Sequence, residues 1–286
     1  MTKKNALKNI PKRSYRKPIL LALLLTTAGG IFWKWSALQD WQEQTLAYIE
    51  NRDIVTLETR VTPEQVLGAE QEKLLVDNQR SLRNSATKYY PYLQLDVKYC
   101  DAQKTHEGIL LWGLHDGEMV IDMATWEVSR GFRYCLECQA TQNDFKILQS
   151  LARHGQSMTL DELQKELHIE RETLAPMLES AKKKHLIIMR GHLVQMHFDN
   201  PKMLVIPKTQ INQQFVSKPV GDAQIASKNY SYRQIIALAQ TAFGNEFKII
   251  GKGREVFLPV YAFEIANKDG SIQIIERNAL TGKSLY

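Results

Sequence analysis

The chain has 286 residues, 44% hydrophobic and 24% charged, which suits a globular protein of two or three domains and excludes a disordered one. Its formal net charge of +6 does not mark a nucleic-acid surface, because the excess is local. Lys3, Lys4, Lys8, Lys12, Arg13, Arg16 and Lys17 all precede Pro18 with no acidic residue among them, and the remainder is close to neutral.

Residues 1–17 therefore read as a basic tail. PILLALLLTTAGGIFWKW (18–35) follows, uncharged over 19–33 and closed by Trp33 and Trp35 like an interfacial aromatic belt. With Lys34 snorkelling, it reaches the lower limit of the roughly 17–25 apolar residues a spanning helix needs. Two readings stay open, an uncleaved signal-anchor and a cleaved signal peptide; the small residues at 27–30 lie inside the apolar run. The bias of Lys and Arg predicts a transmembrane signal-anchor at 18–35 in a single-pass inner-membrane protein. The N-terminus is then cytoplasmic and the bulk extracytoplasmic, in the periplasm.

Residues 36–90 read as a helical stalk or lid. Leu38, Trp41, Leu46 and Ile49 form one stripe, and Val66, Leu67, Leu74, Leu75 and Leu82 another. Thr62-Pro63-Glu64 is a helix start. The period changes at 91–140: Leu93, Leu95 and Val97 alternate, and His115-Asp116-Gly117 between two apolar runs is a hairpin signal, giving a small α+β unit ending in a CxxC. Over 141–207, FKILQSLARHG is amphipathic. Thr159 and Glu162 fit a capping box before LDELQKELH, IERETLAPMLESAKKKHLI follows, and a hairpin turns at Arg190-Gly191. A further strand over MLVIP is expected. Residues 208–228 read as a polar linker. Over 229–286 a helix, YRQIIALAQTAF, precedes FKIIGKG, FLPVYAFEIA and SIQIIERN, with Asn267-Lys268-Asp269-Gly270 as a turn. This unit and 91–140 both place Asp-Gly in a hairpin after a helix, a faint sign of a repeat. The expected fold class is thus multidomain α+β: an N-terminal transmembrane helix, a small α+β unit, a winged helix and a C-terminal helix-on-antiparallel-sheet unit.

Leu160, Leu163, Leu167, Ile169, Thr173, Leu174, Leu178 and Leu186-Ile187 stand where a winged helix-turn-helix domain places its core, and 144–198 resembles that family. The resemblance implies a third helix whose outer face meets a partner. That face, with the wing, carries Arg171, Ala175, Pro176, Glu179, Lys182, Lys183, Lys184 and Arg190. Glu170, Glu172 and Glu179 oppose phosphate contact, and the lysines also suit a helix C-terminus, so a protein partner is expected rather than nucleic acid. The C-terminal residues, through the 232–243 helix, PVYAFEI, Lys268-Asp269-Gly270 and Leu280-Thr281-Gly282-Lys283, resemble PepSY-type domains. Those are typically extracytoplasmic and implicated in partner binding or inhibition.

Cys135 and Cys138, with Cys100, are the pointed chemical group. Three readings are open: a structural disulfide (Cys100 with one of the pair) or buried thiols, a zinc site completed by His106 or His115, or a redox pair, against which Glu137 between the thiols weighs. No cofactor is otherwise expected. Thr281–Ser284 (TGKS) fails as a phosphate loop, because Arg277 holds the required glycine position. No HExxH, GxSxG or GxGxxG is present. Three functions follow: a non-catalytic membrane-anchored envelope protein binding other proteins, a membrane-tethered DNA-binding regulator, and an envelope thiol-disulfide or zinc protein.

Overall fold

The computed structural model describes residues 53–74, 80–101, 104–219 and 224–285. In chain order the elements are β1 (Asp53–Leu57), α1 (Pro63–Leu74), β2 (Arg80–Asp101), β3 (Lys104–Gly113), β4 (Met119–Asp122), β5 (Glu127–Val128) and α2 (Phe132–Glu137). Then come α3 (Gln142–Arg153), β6 (Ser157–Thr159), α4 (Leu160–Leu167), α5 (Arg171–Lys183), β7 (Ile187–Arg190) and β8 (Leu193–Met196). The chain closes with β9 (Phe215–Pro219), β10 (Gln224–Ile225), α6 (Tyr232–Phe243), β11 (Phe247–Asn267) and β12 (Ile272–Asn278).

Two unusually long strands make the centre. β2 has 22 residues, about 70 Å of extended chain, and lies antiparallel to β11 from Tyr99↔Phe247 to Arg80↔Asn267. They sit inside a nine-stranded sheet of order β5-β4-β3-β2-β11-β1-β9, with β10 also on β2 and β12 also on β11. Each long strand carries a proline at mid-length, Pro91 and Pro259, where a ladder normally forbids one. The carbonyl of Pro91 accepts from Leu114 N–H and that of Pro259 from Ala279 N–H. The missing donors therefore face the points where β3 hands over to β10, and β1 to β12. No ladder bond is lost there.

That correspondence extends through both halves of the sheet. β1-α1-β2-β3 and β10-α6-β11-β12 are two copies of one arrangement, each lending its first short strand to the other's long strand. β1 lies parallel to β11 at Thr56↔Phe257, and β10 parallel to β2 at Ile225↔Tyr89. Arg60 and Val61 donate to Ala279 O, as Asn229 and Tyr230 donate to Leu114 O. Thr62 with Gln65 caps α1, as Ser231 with Gln234 caps α6. The post-hairpin turns match bond for bond: Gly117 N–H to Gly113 O and Gly282 N–H to Asn278 O, with Glu118 N–H to Asp116 Oδ1 and Lys283 N–H to Thr281 Oγ1. Both turns need a left-handed residue, and Gly117 (φ 77°) and Gly282 (φ 71°) supply it. α1 buries Val66 against Tyr261, Phe263 and Ile265, and α6 buries Ile235 on the face of Leu93, Leu95 and Val97.

A helical unit is inserted between the copies. α3, α4 and α5 pack with the three-stranded sheet β6-β8-β7. Two capping boxes start α3 (Thr141, Asp144) and α4 (Thr159, Glu162), and His168 ends α4 in a left-handed turn (φ 52°). Phe145, Leu148, Leu163, Leu174 and Leu178 share one continuous core with Leu93 and Trp112 of the main sheet and Leu238 of α6. The unit is part of the same body, and Asp53–Tyr286 forms one compact unit.

Several expectations change. The α+β character stands, but the transmembrane helix in the expected fold class is corrected: among the described residues no helix is long and apolar enough to cross a membrane. The segment 18–35, the tail 1–17 and the stripe of Leu38, Trp41, Leu46 and Ile49 lie outside the described residues. The single-pass, signal-anchored, periplasmic placement has no support in the structure and is not carried further. Of the expected 36–90 stalk, 53–57 and 80–88 are strands, and Leu82 belongs to β2, not to a helix. The expected 208–228 linker contains β9 and β10, edge and bridging strands. MLVIP (203–207) forms no strand; a single bridge just before it joins Lys202 to Arg130. Residues 229–286 do not stand alone, because β11 pairs along the length of β2.

Candidate functional site

Among the described residues the cysteines are not joined by other metal-ligating side chains, and the two of α2 sit in environments that disfavour the thiolate. Cys135 is fully buried in α2, and burial pushes its thiol well above the ordinary value. Cys138, at the helix end, is half-buried and also raised by burial, partly offset by Lys184. Raised thiols are poor nucleophiles. All three cysteines are free, so Cys135 matches the buried-thiol form of the first reading; Cys100 is exposed and meets Thr105 at 3.7 Å. His106 stacks on Tyr99 at 5.5 Å, and among the described residues no three His, Cys, Asp or Glu side chains converge to hold a metal. Glu137 turns outward to Arg133 Nε at 2.9 Å and Tyr230 Oη at 3.1 Å.

The expected interaction face is partly as read. Arg171, Ala175, Pro176, Glu179, Lys182 and Lys183 are exposed on α5, and Arg190 at the end of β7. Lys184 is not on that face. Its Nζ donates to Asp144 Oδ2 at 2.6 Å, and Asp144, 1% exposed, also closes the cap of α3 through Thr141. Lys182 faces Glu179 at 3.8 Å. Of the apparent cationic cluster Lys184 is thereby committed within the fold, while Lys182 and Lys183 stay at the surface.

Reading the sequence missed a polar cleft of about 280 Å³ at the first copy's turn, lined by Lys88, Tyr90, His115, Asp116, Arg133, Ala226, Ser227 and Asn229. β2 supplies Lys88 and Tyr90, which both bind Glu276 of β12, at 3.0 Å and 2.5 Å. The turn after β3 supplies His115 and Asp116. Asn229, just before α6, donates from Nδ2 to His115 O at 2.6 Å. Arg133 reaches the rim from α2, whose start is fixed by Glu118 accepting from the Gly131, Phe132 and Arg133 amides.

Burial dominates the cleft's electrostatics. It lowers His115 to about 4 against the favouring Pro91 carbonyl and Glu276, and raises Asp116 to about 6 against the amides of its own turn. The two sit 3.4 Å apart (Nε2 to Oδ2), beyond ordinary hydrogen-bond reach, so they are not a strong ion pair. Tyr90 is held protonated, first by burial and then by Glu276.

The second copy shows that this polarity is not needed for folding. There Lys88, Tyr90, His115 and Ala226 correspond to Val256, Leu258, Leu280 and Leu57, and all four are buried apolar residues of one cluster. Asp116 corresponds to Thr281, which makes the same turn bond. Glu276 itself corresponds to buried Leu111. One copy is plugged with hydrocarbon, and the other is an open polar cleft. The signal was in the sequence, as GLHDGE (113–118) against NALTGK (278–283) and YYPY (89–92) against FLPV (257–260). The two Asp-Gly turns were the wrong pair to compare.

No family model matches this chain, and no curated protein or solved structure matches it either.

Proposed function

We propose that this chain is a non-catalytic protein-binding module, in which a unit of winged-helix type (142–198) is inserted between two PepSY-like copies. The outer face of α5 meets the partner. The observation that carries this reading is the state of that face: Lys184 is consumed by Asp144, Lys182 is shared with Glu179, and Ala175 and Pro176 lie exposed at its centre. Phosphate binding needs several uncommitted cations, which release counterions on contact. A small neutral centre rimmed by Arg171, Glu172, Glu179 and Lys183 instead suits a protein surface with both signs of charge. The order α3-β6-α4-α5-β7-β8 supports the winged-helix reading, and the duplicated helix–strand–hairpin supports the PepSY-like one.

Because the core is continuous with the main sheet, the test uses the full chain. A photo-crosslinker placed at Ala175 is expected to give discrete protein adducts in cells, while duplex DNA at moderate salt shows no saturable binding. Micromolar DNA binding that weakens steeply with salt and disappears with Lys182→Ala and Lys183→Ala contradicts the proposal.

A further inference from the structure

We infer that the cleft at the first copy's turn binds a small ammonium–carboxylate zwitterion of amino-acid size. This is a site separate from the α5 face. At about 280 Å³ it falls just below the ~300–1,000 Å³ of drug-sized sites, so a ligand of amino-acid size fits within it.

The lining selects its charge. Lys88 and Arg133 stand on the walls, and Asp116 lies between the turn and the rim. An anion alone meets Asp116, and a cation alone meets Lys88 and Arg133. A molecule with both groups satisfies each side: its carboxylate goes to the guanidinium and ammonium, and its ammonium to the Asp116 carboxylate. Asp116 keeps Oδ1 on the Glu118 amide at 3.1 Å, which fixes the carboxylate without occupying Oδ2 with that amide. Lys88 keeps Glu276 at 3.0 Å and Arg133 keeps Glu137 on its Nε at 2.9 Å, so a ligand carboxylate shares each cation with a carboxylate that holds it in place, which favours a neutral zwitterion over a bare anion. Ser227 and Asn229 add polar groups on the remaining wall, which favours a polar side chain on the ligand. The apolar duplicate supplies the independent argument. The same backbone closes with Val256, Leu258 and Leu280 where the first copy has Lys88, Tyr90 and His115, so the polarity of those three positions serves something other than folding.

The experiment is thermal unfolding of the full chain with each of the common L-amino acids in turn, with acetate and with ethylammonium, at matched ionic strength. At least one amino acid is expected to raise the Tm saturably, with acetate and ethylammonium inert. Asp116→Asn, which keeps the turn bond, and Arg133→Gln at the rim are each expected to weaken that binding by about tenfold or more. Lys248→Gln, an exposed change outside both the cleft and the α5 face, leaves it unchanged. No shift with any amino acid overturns the inference. So does an equal shift with acetate or with ethylammonium, or full affinity in both cleft variants. Each of these readouts is independent of what binds α5.

Discussion

At the scale of single residues, two neighbours in the lysine run have opposite fates. Lys184→Ala leaves the Asp144 carboxylate buried without its ammonium, and is expected to cost about 1.5–3 kcal/mol in denaturant unfolding. Lys183→Ala, on the exposed face, stays within about 0.5 kcal/mol. Equal effects would mean that the ion pair is not formed. His115 and Asp116 give a second residue-scale test, because burial moves them in opposite senses. The folded pKa of Asp116, about 6, lies above its ordinary 3.8, so its contribution is present at low pH and lost as pH rises through that window. The folded pKa of His115, about 4, lies below its ordinary 6.5, so its contribution is present at neutral pH and lost as pH falls. Between pH 4 and 6 the two nearly cancel. Compared with the unaltered chain, Asp116→Asn should make stability rise more steeply with pH in that range. His115→Leu should make it rise less or fall. Parallel profiles for the two variants would contradict the burial that the structure gives both groups.

At the scale of elements, the long strands depend on how they bend. Between Ile250 and Arg254 β11 bulges away from β2, and the bulge carries Gly251 and Gly253. Gly251 is left-handed (φ 74°), while a Cβ on Gly253 would meet Leu95 Cδ2 at 2.7 Å and Leu93 Cδ1 at 2.9 Å. Gly253→Ala is therefore expected to destabilise by about 1–3 kcal/mol through overpacking. Gly68→Ala, in α1 with nothing within 4 Å of the added carbon, should not, and should gain slightly from helix propensity. Measured midpoints that rank these two the other way would place the bulge elsewhere. Elements of this kind were partly legible. The alternation at Leu93–Val97, the capping box at Thr159 and the Arg190-Gly191 hairpin follow local rules that the sequence states directly. β1, β9 and β10 were not legible, because each is short and specified by a partner more than a hundred residues away. The site was missed for a related reason. Asp116-Gly117 satisfies turn chemistry by itself, and its second role appears only when Lys88, Asn229 and Glu276 are brought to it.

At the scale of the whole molecule, the fold is a duplicated sheet whose halves complete one another, with a helical unit sealed onto one face. Among the described residues the core under α3, α4 and α5 runs into Leu93, Trp112 and Leu238, which ties the helical unit to the sheet. The account's central claim is that the two copies have diverged, with polarity kept in the first for binding and lost in the second for stability. The measurement that tests this most directly is urea unfolding of a chain whose first copy carries the residues of the second: Lys88→Val, Tyr90→Leu and His115→Leu, with Glu276→Leu to remove the carboxylate left behind. Replacing a buried polar network by apolar residues is often neutral or stabilising by about 1–4 kcal/mol. The account predicts a chain at least as stable as the original, with no response to any amino acid. A loss of more than about 3 kcal/mol would contradict it, because the network would then be a structural necessity of the first copy.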